Sequence, residues 1–186
     1  MSSDQSIKLD ESLWKQILID HILGDISFAI QSNRELIAAQ LILAAIDIFA
    51  GLSRPRSQEY TNGDQFITWC EKYMLLEGRC YKLTGQDLWG ARCGFLHGYT
   101  PISNIFRQGR AKMLSYVDDA NEDIITSEEV DDLVIVSLTA LYKYLCTGLL
   151  GELAQIRANS ELTLLVNQRL RMMFYNKKLD DKFKLL

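Results

Sequence analysis

The stretch 36–52 constrains the chain more than any other, because Leu36-Ile37-Ala38-Ala39-Gln40-Leu41-Ile42-Leu43-Ala44-Ala45-Ile46-Asp47-Ile48-Phe49-Ala50-Gly51-Leu52 is apolar everywhere except Gln40 and Asp47. Ala and Leu make it a strong helix former. It is short for a membrane span, which needs about 20 residues. A helix apolar on most sides must be covered by protein, so the rest of the chain has to supply partners for it. Asp47 is the exception within it, since a carboxylate is costly to bury unless it is paired or hydrogen-bonded. Its natural partner is Arg92; the alternative is that Asp47 faces water at one edge of the helix.

Apolar residues at helical spacing predict the partners. A first helix starts after Asp10 as N-cap, carries Leu13, Trp14, Ile17, Leu18, His21 and Ile22, and continues past Gly24 through Ile26, Phe28 and Ile30. The central helix covers 34–52, with Ser32 or Asn33 offering a cap. After a polar loop whose Arg54 and Arg56 either reach substrate or, as the preferred reading, solvate the loop, a third helix over 64–76 presents Phe66, Ile67, Trp69, Cys70, Tyr73 and Met74 to the core. A fourth starts near Thr84 or Gln86. Residues 102–113 and Leu114-Ser115-Tyr116-Val117 read as a loop with a short β-ribbon. Eight acids between 118 and 132 lead through Ser127, as N-cap, into a long helix over 128–158, where Gly148 and Gly151 allow a close approach or a bend. A final helix over 160–176 runs into a charged tail. With two prolines and eleven glycines in 186 residues, the chain reads as one all-α domain over 1–186, with about five to six helices.

Composition narrows the function. A net charge of −4 means that the molecule as a whole does not attract nucleic acid, so any RNA contact needs a local patch. The four cysteines form no C-x-x-C pair and no signal peptide precedes them, which fits reduced thiols in a cytoplasmic protein. Two histidines at unrelated positions supply few metal ligands. No glycine-rich phosphate loop or nucleophile elbow occurs, and no metal or cofactor is expected.

The chemistry concentrates in Asp87-Leu88-Trp89-Gly90-Ala91-Arg92-Cys93-Gly94-Phe95-Leu96-His97-Gly98-Tyr99-Thr100-Pro101. Arg92 and His97 lie five residues apart near the end of a helix that Gly98 and Pro101 stop. A guanidinium offers a planar fork of donors to a phosphodiester, and an imidazole exchanges a proton near neutral pH. Five helical residues turn about 500°, so the two side chains project about 140° apart. Either the helix end swings His97 back or a second subunit completes the site.

This pattern resembles the R-x(4-6)-H signature of the HEPN superfamily of α-helical bundles, here as Arg92-x4-His97. The upstream order, an apolar helix bearing an acid, a glycine-containing loop and an aromatic helix, is similar as well, so the resemblance covers roughly residues 34–104. It implies a metal-independent endoribonuclease in which Arg92 binds phosphate and His97 is general acid or base. It also implies a homodimer in whose cleft two copies of the motif converge. Asp47 would support Arg92. Cys93 stands where many nuclease members have a polar residue; the Arg92 guanidinium could lower its thiol pKa, but a small buried thiol is the preferred reading. His97-Gly98-Tyr99 further resembles the R-x4-H-x-Y form of HEPN toxins, which implies Tyr99 as an acceptor of adenylyl groups from a nucleotidyltransferase-type antitoxin, and a setting in defence or toxin–antitoxin biology. Two other readings stand beside this one. The first is a non-catalytic module that binds a nucleotide, RNA or a protein. The second is a purely structural role, with Arg92 paired to Asp47 or Asp87 and His97 capping its own helix.

Overall fold

The computed structural model describes residues 7–75, 82–117, 125–126 and 132–173, with the backbone alone for 125–126. The fold is mostly helical. Helix α1 (11–31) joins an α-helical turn Glu11–Trp14, a π-helical stretch Lys15–Leu23 and an α-helical segment Gly24–Gln31 without a break. Asp10 caps it, accepting from the Leu13 amide. Helix α2 is Glu35–Leu52. Helix α3 (63–74) consists of Gly63–Trp69 and a π-helical end, Cys70–Met74. Helix α4, Gly85–Gly98, carries the motif. A single turn α5, Asn104–Arg107, precedes strand β1, Met113–Val117. Strands β2, Ile125–Thr126, and β3, Leu133–Ser137, lead to α6, Leu138–Ala158, and α7, Ser160–Leu170.

Helix α2 is the hub predicted for it, touching α1, α3, α4, α6, α7 and β1. Ala38, Ala39, Ile42, Leu43, Ile46 and Phe49 are buried, so its burial is the hydrophobic term around which the core is built. Its length and composition alone would allow a membrane crossing, but it packs as a core helix. Its first turn departs from expectation: Leu36 and Ile37 are 47% and 51% exposed. Neither Ser32 nor Asn33 caps it. Asn33 takes a left-handed turn conformation at φ 52°, and Arg34 occupies the N-cap position without a side-chain bond.

The larger departure is a three-stranded sheet in order β1-β3-β2. Residues 133–137, predicted as helix, instead pair in parallel with β1, Met113 opposite Leu133 through Val117 opposite Ser137, while β2 joins β3 antiparallel. Leu133-Val134-Ile135-Val136 is rich in β-branched side chains, which favour the pleated conformation once a partner strand is present. Helix α6 therefore begins at Leu138, capped by Ser137 through the Ala140 amide. The anticipated cap Ser127 lies outside the described residues, as does most of the acidic run.

Two glycines set the spacing of the layers. A Cβ on Gly148 would come within 2.9 Å of the Trp69 ring, so its absence lets α6 close onto α3. A Cβ on Gly94 would come within 2.6 Å of the Thr100 carbonyl oxygen, so its absence lets the chain leaving α4 fold back along that helix.

Candidate functional site

Helix α4 is positioned at both ends. Thr84 and Asp87 form a capping box at its start: the Asp87 amide donates to Thr84 Oγ1 at 3.1 Å and Asp87 Oδ2 accepts from the Thr84 amide at 2.9 Å. The other oxygen, Asp87 Oδ1, accepts from the Lys112 amide at 2.7 Å, tying the start of the helix to the segment just before β1. Asp87 is thus occupied by the fold and is not the partner of Arg92. The helix ends at Gly98, yet the left-handed position beyond it belongs to Tyr99, at φ 50°. Gly98 was the expected residue for such a position, and it is instead the last helical one.

Along the exposed edge of α4 the structure brings Asp47, Arg92 and His97 together. Arg92 Nε donates to Asp47 Oδ2 at 2.8 Å, and Nη2 lies 2.6 Å from the same oxygen. Arg92 Nη1 lies 2.9 Å from His97 Nε2. The length of the arginine stem and the turn at the helix end overcome the angular separation of the two residues within one chain. A guanidinium has only donors, so Nε2 accepts and the ring proton rests on Nδ1. Of the five guanidinium N–H groups, those on Nε and one each on Nη1 and Nη2 meet Asp47 and His97, and the guanidinium also hydrogen-bonds the Cys93 thiol. Trp89 backs the group, its ring centroid 5.1 Å from the guanidinium carbon, and itself packs on Phe66.

Cys93 is beside this chain of contacts but is a thiol. Burial raises its pKa first, Arg92 lowers it by charge and hydrogen bond, Asp47 raises it, and the balance is upward. Tyr99 is exposed and stacks on Phe95, with centroids 5.1 Å apart. His21 lies half-buried in the π-helical part of α1. Among the described residues no group of three His, Cys, Asp or Glu side chains could hold a metal ion.

Two residues that sequence reasoning passed over, Arg169 and Glu152, and one that it read as a loop side chain, Arg54, surround the C-terminus of α2. Arg54 is not a solvating loop residue: it donates to the carbonyls of Gly51, Gln58 and Glu59, fixing the loop 53–62. Arg169, from α7, is buried and donates through Nη1 to the carbonyls of Leu52 and Arg54 at 2.6 and 2.7 Å. Burial, then the charges of Arg54 and Arg56, push its pKa down to about 10. Glu152, from α6, is 0% exposed; it accepts from Ser53 Oγ at 2.6 Å and from Trp69 Nε1 at 3.0 Å, and burial pushes its pKa up to about 7 against those two hydrogen bonds and Lys72. One signal was readable: 152 falls in the stripe Leu145, Leu149, Glu152, Ile156, whose other members are apolar and buried.

A cleft of about 500 Å³ opens beside the ion pair and is lined by Asp47, Arg54, Tyr60, Arg92, Arg169 and Met172, among others. Comparison with known proteins gives no match to any family model, any curated protein or any solved structure.

Proposed function

We propose that this chain is a metal-independent endoribonuclease of HEPN type, built as a HEPN-like helical bundle and working as a homodimer. The observation that carries the reading is the Arg92 guanidinium, held by Asp47 and turning its Nη1 donors toward His97 Nε2 at 2.9 Å. Those donors suit the non-bridging oxygens of a phosphodiester and the charge that develops on them in the transition state. A phosphate drawing Arg92 Nη1 toward itself releases Nε2, which then takes the proton from the ribose 2'-hydroxyl. The 2'-oxygen attacks phosphorus, a 2',3'-cyclic phosphate forms, and the 5'-oxygen leaves with a proton. A second copy of His97 across a two-fold axis supplies that proton, since each residue near such an axis meets its own copy.

A cytoplasmic setting accords with the free thiols of Cys70, Cys93 and Cys146. The exposure of Tyr99 accords with its modification by a nucleotidyltransferase-type antitoxin in a defence or toxin–antitoxin system.

A second reading has its own support. Asp47 and Arg92 are both mostly buried and form a complete ion pair, which is also what a non-catalytic module for RNA, a nucleotide or a protein would need. Cleavage of a mixed single-stranded RNA pool in EDTA separates the two. The wild type is expected to cut and leave cyclic phosphate ends, with a folded His97→Ala variant slower by about 10²–10⁴. No cleavage by a dimeric wild type free of adenylylation would turn the assignment to the binding module.

A further inference from the structure

The cleft beside the ion pair carries a charge at odds with the rest of the molecule. The chain has a net charge of −4, yet this cleft gathers Arg54, Arg92 and Arg169 against the single carboxylate of Asp47. Asp47 offsets Arg92 alone. Arg54 and Arg169 make all their hydrogen bonds to backbone carbonyls, so among the described residues no carboxylate meets either charge. The carbonyls at the end of α2 give only the partial negative charge of a helix terminus. Two guanidinium groups thus stand next to each other with their charge only partly compensated, on the wall next to Arg92.

Among the described residues, nothing covers an aromatic ring on the rim of the same cleft. Tyr60 is 75% exposed and Met172 78% exposed, and both line the cleft. Large apolar surface held out in water beside clustered cations is the arrangement that binds single-stranded nucleic acid, the cations following the backbone and the ring stacking a base.

We infer that this cleft is the track along which a single-stranded RNA leaves the Arg92–His97 pair, with Arg54 and Arg169 facing the phosphate next to the scissile one and Tyr60 stacking a base. This rests on the ribonuclease reading for the identity of the strand. Three of the five N–H groups of Arg54 and of Arg169 are taken by carbonyls, which leaves each two donors as well as its charge for the adjacent phosphate. A duplex has no unstacked base to offer to Tyr60.

The test uses the full chain carrying His97→Ala and a fluorescein-labelled twelve-nucleotide single-stranded RNA of mixed sequence, with anisotropy read from 50 to 300 mM KCl. Tyr60→Ala is expected to weaken binding about tenfold, and Tyr60→Phe to restore it. Met172→Glu, which places a carboxylate on the rim without touching an arginine, is expected to weaken binding about three- to tenfold at the lowest salt and to flatten its salt dependence; Met172→Gln should not. Both positions are exposed, so the variants leave the core intact. Absence of binding at 50 mM KCl, or equal binding by all the variants, overturns the track. A wild type that cuts RNA as well with Tyr60→Ala and Met172→Glu as without them overturns the track and leaves the nuclease standing. Binding that falls in both variants, with no cleavage by the wild type, overturns the nuclease and leaves the track.

Discussion

Helices α2 and α4 end in opposite ways. The last carbonyls of α2 accept from guanidinium groups of Arg54 and Arg169, and its C-cap Ser53 donates to the buried Glu152. The last turn of α4 closes on itself: the Tyr99 amide donates to Phe95 and the Thr100 amide to Gly94, while His97 turns its ring back to Arg92. One terminus is fastened from outside by charged side chains, and the other only by its own backbone. The difference separates two uses of arginine. At α2 the guanidinium donors go to main-chain carbonyls, whereas those of Arg92 go to the side chains of Asp47 and His97.

Removing the fastening should show the larger effect. Arg169→Met keeps much of the side-chain volume but strips the carbonyls of their donors, and should cost about 3 kcal/mol, lowering the midpoint of thermal unfolding by about 6–12 °C. A loss under about 1 kcal/mol would mean that water replaces the guanidinium there, and the contrast between the two termini would fail.

Glu152 gives the same terminus a pH dependence. Its pKa rises on folding from 4.5 to about 7, so the native state binds more protons than the unfolded chain between those values. Its stabilising contribution is complete below pH 4.5 and is lost as pH rises toward 7, by up to about 3 kcal/mol. Glu152→Gln, neutral and of the same shape, should match the wild type at pH 4, exceed it at pH 8 by up to that amount, and remove this slope from denaturant titrations. Equal slopes in the two proteins would remove Glu152 as the titrating group.

The α4 terminus should barely respond. Tyr99→Gly relieves a left-handed backbone by about 1 kcal/mol and loses the Phe95 stacking, worth about 0.5–1 kcal/mol. The two offset, leaving stability within about 0.5 kcal/mol of the wild type in urea titration. A larger loss would show that this end is fastened after all, through the ring pair.

The helices and the central part of the site were legible because both are local. The apolar spacing of α1 and α3 needs only a few consecutive turns to be read, and Asp47 stood out as one carboxylate in an apolar run, with Arg92 as its natural partner and an exposed helix edge as the alternative. The sheet was not legible, since the pairing of Met113 with Leu133 joins distant segments and a five-residue apolar run suits strand or buried helix equally. Arg169 and Glu152 were missed for a related reason. Arg169 looks like a surface charge in a polar stretch and Glu152 like a lone interruption of an apolar stripe, and only the arrival of Leu52, Ser53 and Trp69 from elsewhere gives each its partners. Arg54 looked like an ordinary turn residue because the carbonyls it satisfies carry no side-chain signature.

The bond from the Lys112 amide to Asp87 Oδ1 makes a ring of the chain between them, 25 residues apart, with the whole motif inside it. Closing a ring costs entropy that grows only with the logarithm of its length, so each doubling adds about 0.6 kcal/mol. The outer bend of this ring, Gln108, Gly109 and Arg110, is exposed, and Gly109 carries a positive φ of 65°. That bend is therefore where the protein can be lengthened, by a tag, a reporter or a grafted recognition segment, while the clasp at Asp87 keeps Arg92 and His97 in register with Asp47.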